Sequence, residues 1–369
     1  MKITQLKTGN FKNYVLSETR FGPKFNLVYG LNGSGKTNLL DAIHYLGWTK
    51  SFVNPIDSQN IRKGEDFFFI EGKIEKKENH HSLFCGYKRE NGKQFRMDKK
   101  EYERLADHIG FFTVTTISPL DYVLIQGGSE ERRKFIDAII SVFNRTYLDD
   151  LMQYNRLLLQ KNALIKQIQK SGFGQSDMLK IYEEQMAAPA ERIMNERREF
   201  ISEFNATFRD LARWMAGKDE EANLEYLAGA NPRNLFREWE ICREKDLKSG
   251  HTSIGPHKDD IAFRMHDLPI KKSASQGQQK TFLTALKLAQ YHYLSKKTGD
   301  LPVLLLDDIF DKLDDSRVKR LLDLLSGEEY GQVIISDTGS ERILQIFEQI
   351  QQEVELIPVE QQMIMTYEE

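Results

Sequence analysis

Cysteine and long hydrophobic runs are scarce in this sequence, and both absences exclude classes of protein. The chain has 369 residues but only two cysteines, Cys85 and Cys242, which lie far apart and lack metal-ligand spacing. They predict thiols of a reduced cytosolic protein rather than a disulfide framework. No apolar run approaches the roughly 18 residues of a membrane span. The polar, alternating N-terminus predicts a first strand instead of a signal peptide.

Charge is unevenly distributed, although the net charge of the chain is only −3. Residues 1–104 contain 19 Lys and Arg against 12 Asp and Glu, a balance of +7, whereas residues 301–369 contain 5 against 16, a balance of −11. A basic part in an acidic protein is compatible with a phosphate-backbone partner, but ordinary surface charge would give the same pattern. Lys99 and Lys100 are the candidate nucleic-acid contacts in this part.

The pattern G-x-x-x-x-G-K-T predicts a phosphate-binding loop near the N-terminus. An apolar run at residues 24–30 predicts a strand before the loop, and apolar residues at helical spacing predict a helix after it, with Gly47 as its stop. Backbone N–H groups at the start of that helix would face an anion. Lys36 would contact the terminal phosphates and Thr37 would bind Mg²⁺. The predicted ATP-binding residues are Gly30, Leu31, Asn32, Gly33, Ser34, Gly35, Lys36 and Thr37.

A second strong signal is a buried strand, Val303 to Leu306, that ends in two carboxylates. We predict that Asp307 holds Mg²⁺ together with Thr37, and that Asp308 orients or deprotonates the water that attacks the γ-phosphate. The predicted catalytic residues are therefore Lys36 and Asp308. Asp307 follows Lys36 by 271 residues, and the chain has no N-K-x-D motif for guanine. This spacing favours a nucleotide-binding head that is interrupted by an insertion over a small kinase or GTPase.

The change of secondary-structure pattern along the chain supports such an insertion. Residues 1–118 are rich in strand patterns, whereas the part from Glu130 onward has long helical periodicity without Pro or Gly up to Lys170. Two helices joined by a turn at residues 171–176 would form an antiparallel pair, with Pro189 kinking or breaking the second one. A compact helical domain is the alternative. The predicted domains are an ATPase head formed by residues 1–118 and 251–369 and a helical arm formed by residues 119–250.

The third signal is a polar turn, S-A-S-Q-G-Q-Q-K-T, immediately before a long helix. Its hydroxyl and N–H groups would make another anion site at a helix N-terminus, although S-x-x-Q is more commonly a helix cap. Two phosphate-binding surfaces would crowd one nucleotide in a single subunit. We therefore expect this signature to act in trans, with two ATP molecules held between two copies of the chain. The signature residues are Ser275, Gln276, Gly277 and Gln278.

Phosphate loop, helical insertion, S-Q-G-Q-Q and L-L-L-D-D in this order resemble the ABC-type ATPase heads of the SMC family, and within it the RecF family of bacterial recombination mediators. Further matching stretches are scattered over most of the chain: I-T-Q-L-K-T-G-N-F-K-N-Y near the N-terminus, K-S-F at residues 50–52, S-P-L-D-Y through R-R-K-F-I-D at residues 118–137, and G-P-H-K-D-D at residues 255–260. The departures are Leu120 in place of an acidic residue, Asp311-Lys312 before Leu313, and a missing His after Ile335. Asp337 and Thr338 are consequently the candidate γ-phosphate sensors.

The resemblance implies an α/β head of the ABC/SMC type with an N-terminal β-rich part and an inserted, coiled-coil-like helical arm. It implies ATP and Mg²⁺ as cofactors and an ATP-dependent homodimer on duplex DNA or single-strand/duplex junctions at gaps. The partners would be RecR, with RecO in the same pathway, and the role would be to help load the recombinase, with weak, DNA-stimulated hydrolysis. We expect a cytoplasmic, nucleoid-associated protein. The alternatives are a transporter ATPase subunit and a P-loop metabolic kinase.

Overall fold

The computed structural model describes residues 1–171, 176–216, 221–310 and 315–360. The chain divides into two compact units, residues 1–121 with 294–369, and residues 122–293. Two expectations, the turn at residues 171–176 and the departure at Asp311-Lys312, lie wholly or partly outside the described residues. None of the described helices is long and apolar enough to cross a membrane.

Fourteen strands and ten α-helices form within the described residues. The strands are β1 (Lys2–Phe11), β2 (Tyr14–Arg20), β3 (Phe25–Tyr29), β4 (Phe67–Lys76), β5 (Asn79–Lys88), β6 (Gly92–Met97), β7 (Lys100–Glu101), β8 (Val114–Ile117), β9 (Ala222–Leu227), β10 (Asp260–Met265), β11 (Leu268–Pro269), β12 (Val303–Asp307), β13 (Val333–Asp337) and β14 (Val354–Pro358). The helices are α1 (Lys36–Trp48), α2 (Val123–Gln126), α3 (Ser129–Phe143), α4 (Arg145–Ser171), α5 (Ser176–Ala216), α6 (Leu235–Ser249), α7 (Ile270–Ser273), α8 (Gln276–Thr298), α9 (Asp315–Ser326) and α10 (Ser340–Gln349).

A five-stranded parallel sheet in the first unit has the order β14-β3-β13-β12-β8. The apolar runs that predict buried strands lie in it, because helices on both faces of a parallel sheet leave no solvent-facing side. Sequence-distant strands become neighbours: β3 precedes the phosphate loop, and both strands beside it come from the end of the chain.

The second sheet of this unit is antiparallel, in the order β2-β1-β4-β5-β6-β7, and α1 lies between the two sheets. A Cβ at Gly72 of β4 would meet Leu46 of α1 at 2.5 Å, and a Cβ at Gly47 would meet Val114 of β8 at 2.8 Å. Gly47 is therefore a close-packing residue, and the prediction that it stops the helix is wrong. The helix continues to Trp48 and is capped by Thr49 in a left-handed conformation with φ of 57°.

The connection between β4 and β5 is a tight turn. His80 and His81 follow it in β5, where His81 pairs with Ile74 of β4. The turn is formed by Lys77 and Glu78, whose φ values of 49° and 66° suit a two-residue hairpin connection. Neither residue belongs to the types that usually mark such a turn, so no local pattern predicts it.

The second unit is built around long helices. Asp150 of α4 forms a two-bond ion pair with Arg192 of α5, and Lys161 lies 3.1 Å from Glu183. The later residue of α4 therefore contacts the earlier residue of α5, so the two helices run in opposite directions. This confirms the predicted antiparallel pair. Helix α5 contains 41 residues and continues through Pro189, so the predicted break does not occur.

The helical run after residue 130 is not continuous, because it is divided at Asn144 into α3 and α4. Helix α5 buries Phe200, Phe204, Phe208 and Ala212. These residues recur at a spacing of four and therefore lie along one side of the helix.

The remaining strands of the second unit form a small antiparallel sheet, in the order β11-β10-β9. Six residues of β10 pair with β9, which follows α5 in the chain. Residues 251–293 belong to the same compact unit as the long helices. The domain boundaries predicted from the sequence assign these residues to the ATPase head instead. The head and arm as functional domains stay a prediction.

Candidate nucleotide site

The loop between β3 and α1 has a backbone that only glycine adopts easily. Gly30, Gly33 and Gly35 have φ values of 155°, 79° and 118°, a region that L side chains rarely occupy. Space is also restricted at two of them. A Cβ at Gly35 would meet the Asn13 amide at 2.5 Å, and one at Gly30 would overlap the Val359 carbonyl oxygen. Leu31, Asn32 and Gly33 are exposed, whereas the Ser34 hydroxyl is buried without a partner among the described residues.

The turn between β1 and β2 supports the loop from behind. Asn13 Nδ2 donates to Ser34 O at 2.9 Å, the Tyr14 hydroxyl donates to Gly35 O at 3.1 Å, and Asn38 Nδ2 donates to Asn13 Oδ1 at 2.7 Å. These bonds satisfy loop carbonyls, which leaves the N–H groups at the start of α1 for an anion. The N-F-K-N-Y stretch thus acquires a physical role that sequence reasoning had only as a resemblance.

A buried carboxylate ties two other stretches to the same helix. Asp41 of α1 accepts from the Ser51 hydroxyl at 2.6 Å and from the Phe52 N–H at 2.8 Å, and it lies 2.5 Å from Lys12 Nζ. Lys12 belongs to the N-F-K-N-Y turn, and Ser51 and Phe52 belong to K-S-F. These residues fix α1 and therefore the loop, although none of them contacts the loop backbone in the way Asn13 and Tyr14 do.

Lys36 is folded into the loop. Its Nζ donates to Gly30 O at 2.8 Å and to Leu31 O at 3.0 Å. Burial lowers the pKa of Lys36, while the nearby carboxylates Asp308, Asp337 and Asp307 act in the opposite direction. A cation that is held in a loop of N–H donors and faced by carboxylates suits a ligand that carries both phosphates and a divalent cation.

Thr37 and Asp307 are brought together across 270 residues. Thr37 Oγ1 donates to Asp307 Oδ1 at 2.9 Å, and Ser336 Oγ donates to the same atom at 2.7 Å. Burial raises the pKa of Asp307, and these two bonds oppose that rise. Hydroxyl and carboxylate oxygens are the ligands that Mg²⁺ prefers, so this pair fits the predicted metal site. Ser336 was missed, because its place depends on β13 lying between β3 and β12.

Asp308 and Asp337 lie at the same edge of the parallel sheet. Asp308 is exposed and follows the last residue of β12 with φ of 51°, and its N–H donates to Ser336 Oγ at 3.1 Å. Because β12 ends at Asp307 and Asp308 has a left-handed backbone, the alternation of side chains along the strand does not extend to Asp308. Burial raises the pKa of Asp337, whose Oδ1 accepts from the Gly339 N–H at 2.7 Å. Thr338 is exposed.

The signature residues form the start of α8 in the second unit. Gln278 N donates to Ser275 Oγ at 3.3 Å, and Ser275 N donates to Gln278 Oε1 at 2.8 Å. This reciprocal pair is a capping box. Ser275, Gln276 and Gly277 are exposed, and a Cβ at Gly277 would meet nothing nearer than Ser275 Oγ at 3.9 Å. The helix start thus presents an open surface in addition to its cap.

The predicted nucleic-acid contacts lie on a hairpin tip. Lys99 lies in the turn between β6 and β7 with φ of 69°, Lys100 begins β7, and both are exposed. Two neighbours in the same basic stretch serve the fold: Lys93 pairs with Asp57 at 2.9 Å, and the Arg96 guanidinium lies 4.2 Å from the Phe84 ring centroid. The basic excess of this part is therefore only partly available to a partner.

Comparison with known proteins decides the family. The profile of the RecF/RecN/SMC N-terminal domain matches residues 2–364. The DNA replication and repair protein RecF of Phocaeicola vulgatus is 44% identical over 362 residues, which cover 98% of this chain and 97% of that protein. The chain belongs to the RecF family. The RecF of Bacteroides fragilis (strain ATCC 25285) is 41% identical and covers 100% of this chain and 99% of its own length.

Solved structures agree with this assignment. The recombination mediator protein RecF-ATP in the RecFOR pathway superposes with a TM-score of 0.86 at 30% identity, covering 92% of both chains. The Smc head bound to ScpA from Pyrococcus furiosus gives a TM-score of 0.53 at 18% identity over 93% of this chain and 91% of that one, a likeness of fold alone. The predicted fold class, an α/β ATPase head of the ABC/SMC type with a helical insertion, is confirmed for this RecF-family chain.

Proposed function

We propose that this chain is an ATP-dependent DNA-binding protein of recombinational repair and replication-gap processing. Two copies would close around ATP on duplex DNA or single-strand/duplex junctions, help to load the recombinase, and open after slow, DNA-stimulated hydrolysis. The observation that carries the nucleotide part is the contact of Thr37 with Asp307, because it joins a phosphate loop to an acidic strand end from the far end of the chain.

The residues at the loop divide the work of binding and hydrolysis. Lys36 would move from the carbonyl groups of its own loop to the terminal phosphates, and Thr37 and Asp307 would hold Mg²⁺. The metal supplies charge neutralisation at the phosphates. Asp308, exposed beside this site, would orient the attacking water or accept its proton. Ser336 would position Asp307 and Asp308, since its hydroxyl contacts both, and Asp337 or Thr338 would sense the γ-phosphate.

The open start of α8 supports a role for the signature in trans. Ser275, Gln276, Gly277 and Gln278 would meet the nucleotide of a second copy, so that ATP stabilises only the associated state. Free N–H groups at a helix start attract phosphate oxygens, and the exposed Gly277 lets a ligand approach the backbone. The ATP-bound RecF structure supports ATP as the nucleotide.

The DNA and pathway parts rest on the family. Relatives 41–44% identical along nearly the whole chain are DNA replication and repair proteins, and the structural relative belongs to the RecFOR pathway. We therefore propose RecR as a direct partner, with RecO in the same pathway, and a location in the cytoplasm at the nucleoid.

Light scattering with ATP and Mg²⁺ tests the dimer. Asp308→Asn keeps the size of the side chain but removes the base, so it should accumulate an ATP-bound dimer that does not turn over. Gly277→Arg should bind ATP as a monomer but fail to associate, because a long side chain would occupy the space where the second copy docks. Gly277→Ala is the matched control for the fold, since a Cβ at this position is not crowded within the chain, and it should dimerise more weakly than the parent but more strongly than Gly277→Arg.

Two results would contradict the proposal. A monomeric Asp308→Asn variant at high concentration, with ATP bound, would show that nucleotide does not bridge two copies. Normal dimerisation of Gly277→Arg would show that the signature does not face the partner.

A further inference from the structure

The outer face of the antiparallel sheet carries an open hollow of about 260 Å³, which we name the sheet hollow. Its floor is Gly86 of β5, and its sides include the Phe69 ring of β4, the Phe84 ring of β5 and Gln94 of β6. Gly86 pairs in register with Phe69 on one side and with Gln94 on the other. The missing side chain at Gly86 therefore creates the hollow between aromatic and amide groups.

The aromatic side of the sheet hollow is an ordered stack. The Phe69 and Phe84 rings are inclined by only 13° with centroids 6.3 Å apart, and the Arg96 guanidinium lies 4.2 Å from the Phe84 centroid. Phe69 extends over Gly9 of β1, where a Cβ would overlap the ring. A second glycine thus makes room for this stack, which keeps aromatic surface on the solvent side of a sheet.

The polar side chains at the rim have no partner among the residues that the structure describes. Among the described residues, no hydrogen bond or ion pair engages the side chains of Lys88, Asn91 or Gln94, which line the sheet hollow. An apolar peptide docked here would leave the two amides unsatisfied, which is costly once water is removed. A planar group with hydrogen-bonding edges would satisfy them.

We propose that the sheet hollow binds an unpaired nucleobase of single-stranded DNA next to a duplex. Exposed aromatic rings on a sheet stack bases, amide side chains bond to base edges, and neighbouring cations contact the phosphates. Here Phe69 and Phe84 would stack the base, Gln94 and Asn91 would contact its edge, and Lys88 would contact the backbone. This site rests on the proposed DNA function, and it assigns the single-stranded side of a junction to one face of the sheet.

The test compares tailed duplex DNA with blunt duplex DNA at one salt concentration, in the presence of ATP. Phe69→Leu and Phe84→Leu keep apolar volume but remove the aromatic faces, so affinity for tailed DNA should fall roughly 5- to 150-fold, the range for one base–aromatic stack. Affinity for blunt DNA should not change. Phe84→Tyr keeps the ring and should bind like the parent. Gly86→Val should lose affinity for tailed DNA, because a Cβ at Gly86 would meet the Phe84 ring at 3.1 Å and displace it. 2-Aminopurine in the tail should change fluorescence only when the rings are present.

Three outcomes would overturn the inference. Unchanged affinity for tailed DNA in both leucine variants would exclude base stacking while leaving the proposed function intact. A changed oligomeric state in those variants, with DNA binding unaltered, would make the face a protein interface. A parent protein that binds neither DNA would refute the proposed function itself and this site with it.

Discussion

Replacing Glu183 with Gln should destabilise the helical unit far more than replacing its neighbour Lys161. Glu183 is fully buried and lies 3.1 Å from Lys161 and 2.6 Å from Arg243. Glu183→Gln keeps the shape but leaves two cations without their carboxylate, and removing one partner of a buried pair costs about 3–5 kcal/mol. Asp246 also attracts Lys161, so we expect the lower end, about 3 kcal/mol. At roughly 2–4 °C per kcal/mol for a unit of this size, the midpoint should fall by about 6–12 °C.

Lys161→Met is the matched variant. It removes the ammonium group of the pair but leaves Glu183 with Arg243. The free energy of unfolding should therefore fall by less than about 1.5 kcal/mol. Thermal unfolding followed by tryptophan emission is the assay, because Lys161 Nζ lies 5.2 Å from the ring centroid of the buried Trp239. Burial lowers the pKa of Lys161. As pH falls, Lys161 becomes charged, and in Glu183→Gln this buried charge has lost its carboxylate partner, so the loss of stability in this variant should increase. Equal losses in the two variants would refute the idea that Glu183 serves both cations.

Three further predictions concern the first unit. Lys36→Ala should abolish tight binding of a fluorescent ATP analogue without changing the circular dichroism spectrum, and normal affinity in the folded variant would reject the phosphate-loop assignment. Replacing Lys99 and Lys100 with Ala should reduce the log–log salt slope of DNA binding by about one per lost phosphate contact; an unchanged slope would remove the hairpin tip from the DNA surface. Burial lowers the pKa of His108 from 6.5 to about 4, so about 3 kcal/mol of stability should be lost as pH falls from 6.5 to 4. His108→Gln should weaken that pH dependence in denaturant titrations, and the exposed His80→Gln should not.

Local patterns indicated those parts of the candidate nucleotide site whose geometry depends on neighbouring residues in the sequence. Glycines at Gly33 and Gly35 are required by the positive φ of the loop, and a buried strand that ends in carboxylates has few other uses near such a loop. The pairing of Thr37 with Asp307 followed from the motif pair. Ser336 could not be found in this way, because a single hydroxyl in an apolar strand gains its meaning from the strand order β3-β13-β12.

Some residues do not have the role or environment that their local sequence suggests, because tertiary packing overrides local preference. Gly47 resembles a helix stop but is a contact with Val114 and with the Phe112 carbonyl oxygen. A lysine in a helix is expected at the surface, yet Lys161 is 1% exposed, because Glu183 faces it across the helix pair. In both cases the deciding partner is remote in sequence.

The strand order around β3 has a consequence for how the protein is made. The phosphate loop emerges early from the ribosome, but β13 and β14, the strands on either side of β3, are synthesised about 300 residues later. Until then β3 has unpaired edges and Thr37 lacks both Asp307 and the strand that carries Ser336. Such sequence-distant pairing is slow to form. The nucleotide site therefore completes only when nearly the whole chain is present, and a product that stops before residue 333 would carry every residue of the phosphate loop yet could not assemble the site.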